Sequence, residues 1–159
     1  MTTGSDTLST FHDFEAYPMP IFATLEEPDL EAAIAWYRDA LGFGEMFVAR
    51  DPAGRPTLAH LRRARYQDLL LVPGGTAAGE RISISLRADG DPAELASRAR
   101  NARPVGASAV EGPIDTPWNS TDVRITDPGG HRLVLTAQRT VPDPELAARM
   151  RELLERGRR

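Results

Sequence analysis

The chain has 159 residues and no cysteine, and its formal charge of −4 comes from 19 basic residues, all arginine, mixed with 23 acidic ones. A chain of this length buries roughly 70% of its unfolded surface, which predicts one compact domain. The charges form no basic stripe, which argues against nucleic acid as a partner. The lack of cysteine excludes disulfides, thiolate catalysis and cysteine-based zinc sites. No apolar run reaches the length of a signal or membrane segment, so we expect a soluble cytoplasmic protein that does not bind membranes.

The first half begins with a polar stretch, residues 1–18, which predicts a flexible arm. From position 19 the side chains alternate as in a strand that turns Ile21, Ala23 and Leu25 toward a core. Asp29 then opens a helix that Gly42 ends in the left-handed conformation. The apolar stripe of this helix consists of Leu30, Ile34, Tyr37 and Leu41. Three strands are predicted after it, at residues 45–50, 58–62 and 68–72, which gives the order β-α-β-β-β.

The second half repeats this order of elements. Its first strand is predicted from the alternation of Ile82, Ile84 and Leu86 with Arg81, Ser83 and Ser85. Asp91 as N-cap and Pro92 in the first turn predict a helix that ends near Ala102. Three strands follow, predicted at residues 108–111, 121–126 and 131–137.

A tail follows at residues 139–159. Asp143 as N-cap predicts a third helix over residues 144–156. Its apolar stripe consists of Leu146, Met150, Leu153 and Leu154. We expect the stripe to dock on other protein surface, and we favour the interface of a dimer over the chain's own domain.

Two stretches of sequence are similar to a known family. The segment DLEAAIAWYRDALGF at residues 29–43 and the segment TPWNSTDVRITDPGGHRLVLT at residues 116–136 resemble the opening helix and the last hairpin of the vicinal oxygen chelate superfamily. The resemblance implies an α+β domain over residues 19–138. Two βαβββ modules, residues 19–73 and 80–138, would form a cupped mixed sheet with helices outside, followed by the C-terminal helix. It also implies a homodimer with ligand in the cups.

Alternation along the strands indicates which side chains face the cups. The apolar members of each strand are expected to pack under the helices, so their neighbours line the cavity. The predicted ligand-binding residues are Phe22, Thr24, Phe47, His60, Asp68, Arg81, Ser83, Ser85, Trp118, Asn119, Arg124 and Val134. Arg81 would be a costly buried charge in the cup unless Asp68, Asp122 or an acidic ligand group meets it.

Metal-dependent members of this superfamily hold an ion at four positions. The resemblance carries these positions onto Phe22, onto Asp68 or Leu70, onto Arg81 and onto Val134. Only Asp68 could bind an ion, and one carboxylate is far short of the ligands that a divalent cation needs. We therefore expect a metal-free cup and no cofactor.

The histidines and tryptophans have ordinary interpretations as well as functional ones. His12, His60 and His131 show no metal-ligand spacing, and only His60 lies on a strand that could aim it into the cup. Trp118 could pack in its loop or stack on a planar ligand at the rim. For Trp36 on the first helix we favour a place in the core.

These observations favour a non-catalytic binding protein of the bleomycin-resistance type. A homodimer would sequester an aromatic or amphipathic small molecule, plausibly an antibiotic, as a form of self-resistance. The alternative is a metal-free lyase, isomerase or cyclase that uses His60, Asp68 or Arg81 for acid–base chemistry. A third interpretation is a stress or regulatory protein whose cup serves only as a dimer surface.

Overall fold

The computed structural model describes residues 19, 21–75, 81–102, 109–117, 119–139 and 144–156. Each of its two modules has the order β-α-β-β-β, which confirms the predicted fold class. The first module comprises β1 (Ala23–Glu27), α1 (Leu30–Leu41), β2 (Gly44–Arg50), β3 (Pro56–Ala64) and β4 (Gln67–Pro73). The second comprises β5 (Ser83–Arg87), α2 (Pro92–Asn101), β6 (Ala109–Asp115), β7 (Ser120–Thr126) and β8 (Arg132–Gln138). A third helix, α3 (Pro144–Arg156), follows them.

The two sheets share one topology. Sheet one has the strand order β1-β4-β3-β2, and sheet two has the order β5-β8-β7-β6. In each sheet the first and last strands of the module pair in parallel, and the other pairs are antiparallel. The helix of each module packs on one face of its sheet. The opposite face of each sheet therefore carries the alternate side chains of every strand.

Local sequence explains the limits and the buried side of α1. The side chain of Asp29 accepts a 3.0 Å hydrogen bond from the amide of Ala32, and Gly42 ends the helix with a φ of 73°. All four residues of the predicted stripe are buried. Trp36 is 3% exposed, which confirms its place in the core.

Two arginines tie the carboxyl end of α1 to the second module. The last carbonyls of a helix lack partners within it and attract cations. Arg98 Nε donates to the carbonyl of Asp39 at 2.9 Å, and Arg63 Nε donates to that of Leu41 at 3.1 Å. Arg63 Nη1 also donates to the carbonyl of Arg87 at the end of β5. These bonds join the modules at the helical side of the sheets.

The residues just before β1 differ from the prediction. The predicted alternation placed Ile21 with the core, yet Ile21 is 82% exposed, because β1 pairs with β4 only from Ala23 onward.

The helix of the tail is present as α3. The side chains of its apolar stripe lie outside the described residues, so their docking stays a prediction. No helix in the described part of the chain combines the length and the apolar character needed to cross a membrane.

Candidate functional site

The side of sheet one that faces away from α1 carries a row of four side chains. The register places them in the order Thr24, Leu70, His60 and Phe47. Directly opposed residues on neighbouring strands point to the same face, so the four side chains lie side by side. Phe47 is 59% exposed and Thr24 is also exposed, while Leu70 and His60 are half-buried. We call this surface the open face of sheet one.

An ion-paired network adjoins the row on the same face. Arg62 lies opposite Asp68 in the register, and its Nε donates to Asp68 Oδ1 at 2.8 Å. His60 Nε2 lies 2.7 Å from the same oxygen. The side chains of Arg62 and Asp68 are 3% and 1% exposed, whereas that of His60 is 19% exposed. The two buried charges offset part of each other's desolvation cost, and together they orient the imidazole.

The structure thus brings together two predicted residues, His60 and Asp68, and adds Arg62, which is not among the predicted site residues. The alternation along β3 could have revealed it, because residues two apart on a strand share a face. Asp68 is one of the predicted partners of Arg81. The described residues instead place Asp68 with Arg62 and His60.

The side of sheet two that faces away from α2 carries four further predicted residues. The register sets Ser85 beside Val134 and Val134 beside Arg124, with Ser83 two residues earlier on β5. Both serines and Arg124 are exposed, and Val134 is half-buried. This surface, the open face of sheet two, is more polar than that of sheet one.

The remaining predicted residues lie at the margins of the sheets. Phe22 immediately precedes β1 and is 46% exposed. Arg81 is exposed rather than a buried charge, because β5 begins only at Ser83 and the guanidinium of Arg81 lies beside Gly130 in the β7–β8 turn. Trp118 lies outside the described residues.

Asn119 has a local role in the turn before β7. Its φ is 62°, a left-handed value that asparagine tolerates better than most residues. Its carbonyl accepts from the amide of Arg139 at 3.0 Å, and its Nδ2 donates to the carbonyl of Arg139 at 3.2 Å. These bonds fasten the end of β8, and a contact of Asn119 with ligand stays a prediction.

The residues at the four positions that metal-dependent relatives use do not fit a divalent cation. Phe22 and Val134 offer no donor atom, and the guanidinium of Arg81 carries a positive charge. The one carboxylate, Asp68, is ion-paired with Arg62 at 2.8 Å. A cation at this place would have to compete with that arginine for a single carboxylate.

A second cluster of donor groups is buried where the modules meet. Atoms of Glu27, Asp127 and His131 lie within 4.8 Å of one another. Tyr37 Oη donates to Asp127 Oδ2 at 2.6 Å, and the amide of His131 donates to Asp127 Oδ1 at 2.7 Å. Both ring nitrogens of His131 also lie within 3.3 Å of backbone partners, the amide of Ile82 and the carbonyl of Glu26. The aspartate and the histidine are therefore committed to internal bonds, and we assign no metal here.

Glu27 is the unusual member of this buried cluster. It is completely buried, and neither of its carboxyl oxygens makes a hydrogen bond of normal geometry within the described chain. Burial, and then the negative charge of Asp127, raise the pKa of Glu27 to about 9. A Cβ on Gly129 would lie 2.9 Å from Glu27 Oε2, so the glycine makes room for the carboxyl group. Glu27 is not among the predicted site residues, although its side chain lies on the same inward face of β1 as Ala23 and Leu25.

A groove also lies on the helical side of the molecule, between α1 and α2. Its lining residues are polar or charged except for one alanine, and they are Asp39, Glu94, Ser97, Arg98, Asn101 and Ala102. Arg98 is already bonded to the carbonyls of Asp39 and Arg38. The groove lacks the exposed aromatic surface of the open face of sheet one.

Comparisons with known proteins agree with this architecture. A bleomycin resistance determinant encoded on transposon Tn5 is 26% identical, with a TM-score of 0.57, over 76% of this chain and 98% of that one. A bleomycin-binding protein in complex with bleomycin is 25% identical, with a TM-score of 0.55, over 75% and 98%. TnmS3, an antibiotic binding protein from Streptomyces sp. CB03234, is 23% identical, with a TM-score of 0.58, over 74% and 93%. A sequence search of the curated proteins gives no match.

A family model covers both modules. The model of the glyoxalase/bleomycin resistance protein/dioxygenase superfamily matches residues 23–135, from the first residue of β1 into β8. The match therefore includes both open sheet faces and the buried cluster between the modules. This chain belongs to the glyoxalase/bleomycin resistance protein/dioxygenase superfamily.

Proposed function

We propose that the protein binds an aromatic or amphipathic small molecule, such as an antibiotic, in the cups formed by its open sheet faces and sequesters it without chemical change. The observation that carries this proposal is Phe47, which is 59% exposed and lies beside the half-buried His60 on the open face of sheet one. An apolar surface with a few well-placed polar groups is typical of small-molecule sites. Self-resistance of the producing cell would follow from such sequestration.

Two relatives support the choice of ligand class. They are the bleomycin resistance determinant and the bleomycin-binding protein, at 26% and 25% identity. The residues at the four positions that metal-dependent relatives use favour binding without a metal, because the one carboxylate among them, Asp68, is ion-paired with Arg62.

We also propose that the protein acts as a homodimer. Ile21 and Phe22 just before β1 and Phe47 on β2 are 82%, 46% and 59% exposed, so both edges of sheet one carry apolar side chains that are open to solvent. A second copy that covers part of this surface would enclose a ligand on the open faces.

The second candidate is an enzyme, and the pair of His60 and Asp68 favours it. A histidine oriented by a carboxylate is an arrangement that general acid–base catalysts use. The Nε2–Oδ1 distance of 2.7 Å is within hydrogen-bonding range. In this case His60 would transfer a proton to or from the bound molecule in a lyase or isomerase reaction.

Titration with bleomycin and with polycyclic aromatic natural products, followed by tryptophan fluorescence and by mass analysis of the recovered compound, separates the two candidates. Saturable binding with intact ligand supports sequestration. Time-dependent conversion of the compound, lost in His60→Leu, supports the enzyme. No binding of any compound in the panel contradicts both.

A further inference from the structure

The hydrogen bond that His60 makes on the open face of sheet one indicates which group a ligand needs in order to bind the imidazole. Asp68 is ion-paired with Arg62, and a carboxylate in an ion pair only accepts hydrogen bonds. The 2.7 Å contact between His60 Nε2 and Asp68 Oδ1 therefore requires the proton to lie on Nε2. A neutral His60 is thus left with a lone pair on Nδ1, which accepts a hydrogen bond.

Within the described part of the chain, His60 makes its one polar side-chain contact with Asp68. The side chain is also 19% exposed, so the ring is reachable from the open face. Buried or half-buried polar atoms are normally satisfied, by protein, by water or by ligand. A ligand that displaces water from Nδ1 has to replace the hydrogen bond that it removes.

Apolar side chains flank this acceptor on both neighbouring strands. Phe47 lies directly opposite His60 on β2, and Leu70 lies directly opposite it on β4. Opposed side chains in a sheet have Cβ atoms about 4.5 to 5.5 Å apart, so one planar ring can contact Phe47 while its substituent reaches His60. An aromatic ring prefers offset or edge contact with a phenyl group, which an exposed phenylalanine permits.

Resting on the proposed function, we propose that the ligand is a phenol: its hydroxyl group donates to Nδ1 of His60 and its aromatic ring packs on Phe47. A phenol supplies both groups: its hydroxyl is the required hydrogen-bond donor, and its ring is the flat apolar surface that packs on Phe47. A ligand carboxylate brings no proton for Nδ1. A cationic ligand gains little, since Arg62 already neutralises Asp68 at 2.8 Å.

A matched pair of probes tests this directly. We would titrate the full chain with 1-hydroxypyrene and with 1-methoxypyrene, in which a methyl group replaces the donor hydrogen, and follow probe fluorescence. The expected result is a preference of about fivefold or more for the hydroxyl compound, as for one hydrogen bond that the other compound cannot make. In His60→Leu the ratio of the two affinities falls to about one. In Phe47→Ala both affinities fall while the ratio persists.

Circular dichroism and thermal melting establish that each variant is folded, and His60→Phe replaces His60→Leu if the latter does not fold. A ratio near one in the unaltered protein, or a ratio that persists without the imidazole, overturns the proposal. So does failure of both pyrenes to bind. In that event the bleomycin titration still decides the proposed function separately, because a protein that binds bleomycin but neither pyrene loses only the phenol inference.

Discussion

Glu27 from the first module and Asp127 from the second lie together in the interior, and the carboxyl group of Glu27 has no hydrogen-bond donor in normal geometry among the described residues. A folded protein in which Glu27 has a pKa of about 9 keeps this group protonated at neutral pH. In the unfolded chain the same group loses its proton near its ordinary value of 4.5. The folded state therefore binds more protons between these two values.

Stability should accordingly fall as the pH rises. The free energy of unfolding is expected to decrease between pH 6 and pH 8 by at most about 1.4 kcal/mol per pH unit from this one group. Glu27→Gln keeps the shape of the side chain but replaces the titrating carboxyl group with an amide. The contribution of residue 27 to the pH dependence of the free energy of unfolding should therefore vanish. Urea unfolding at pH 6, 7 and 8 measures the difference between the two proteins.

The matched control is Glu26→Gln, which removes an exposed carboxylate from the same strand. It should leave the pH dependence unchanged. If Glu27→Gln showed the same slope as the unaltered protein, Glu27 would not be the proton-binding group.

Tyr37→Phe tests the hydrogen bond that joins Tyr37 of the first module to Asp127 of the second. The variant removes the 2.6 Å hydrogen bond to Asp127 and leaves a buried carboxylate with one donor fewer. The expected cost is about 1 to 3 kcal/mol of unfolding free energy. Chemical denaturation at pH 7 measures it.

Tyr66→Phe is the control, because Tyr66 is 53% exposed. It should change the stability by less than about 0.5 kcal/mol. Equal effects of the two substitutions would show that the buried hydroxyl group adds nothing specific.

The tail makes a prediction about assembly. Residues Leu146, Met150, Leu153 and Leu154 recur at helical spacing in α3, and each apolar side chain is worth roughly 1.5 to 3 kcal/mol when fully buried. We favour burial across the dimer, since the two modules are complete at the end of β8. Truncation after Gln138 should weaken the dimer in light scattering over a concentration series. A truncated chain that dimerises as tightly as the full one would exclude this role.

The elements of the fold were predictable because their signals are local. The N-cap Asp29, the left-handed Gly42 and the stripe that includes Tyr37 each follow from spacing along one segment, and the structure bears them out. The repeated order of elements then fixes the sheet topology, since strands of like position pair alike in both modules.

The buried polar groups were harder to predict because their partners are distant in sequence. Tyr37 and Asp127 are 90 residues apart, so no pattern in either segment announces their hydrogen bond. Arg62 could be placed on a face by alternation. Its pairing with Asp68, however, depends on the β3–β4 register, which shifts between Arg62 and Ala64. Arg81 was misjudged for a related reason, because β5 starts two residues later than the alternation suggests.

Mapping a bound ligand on the protein by amide chemical shifts tests most directly where the small-molecule site lies. The ¹⁵N-labelled protein would be titrated with bleomycin or with the tightest-binding aromatic compound of the panel. We expect the largest shift changes on the open faces, at Thr24, His60 and Val134, and little change at Asp39 and Arg98 in the groove between α1 and α2. Changes centred on that groove, or no changes at saturating ligand, would contradict a binding site on the sheets.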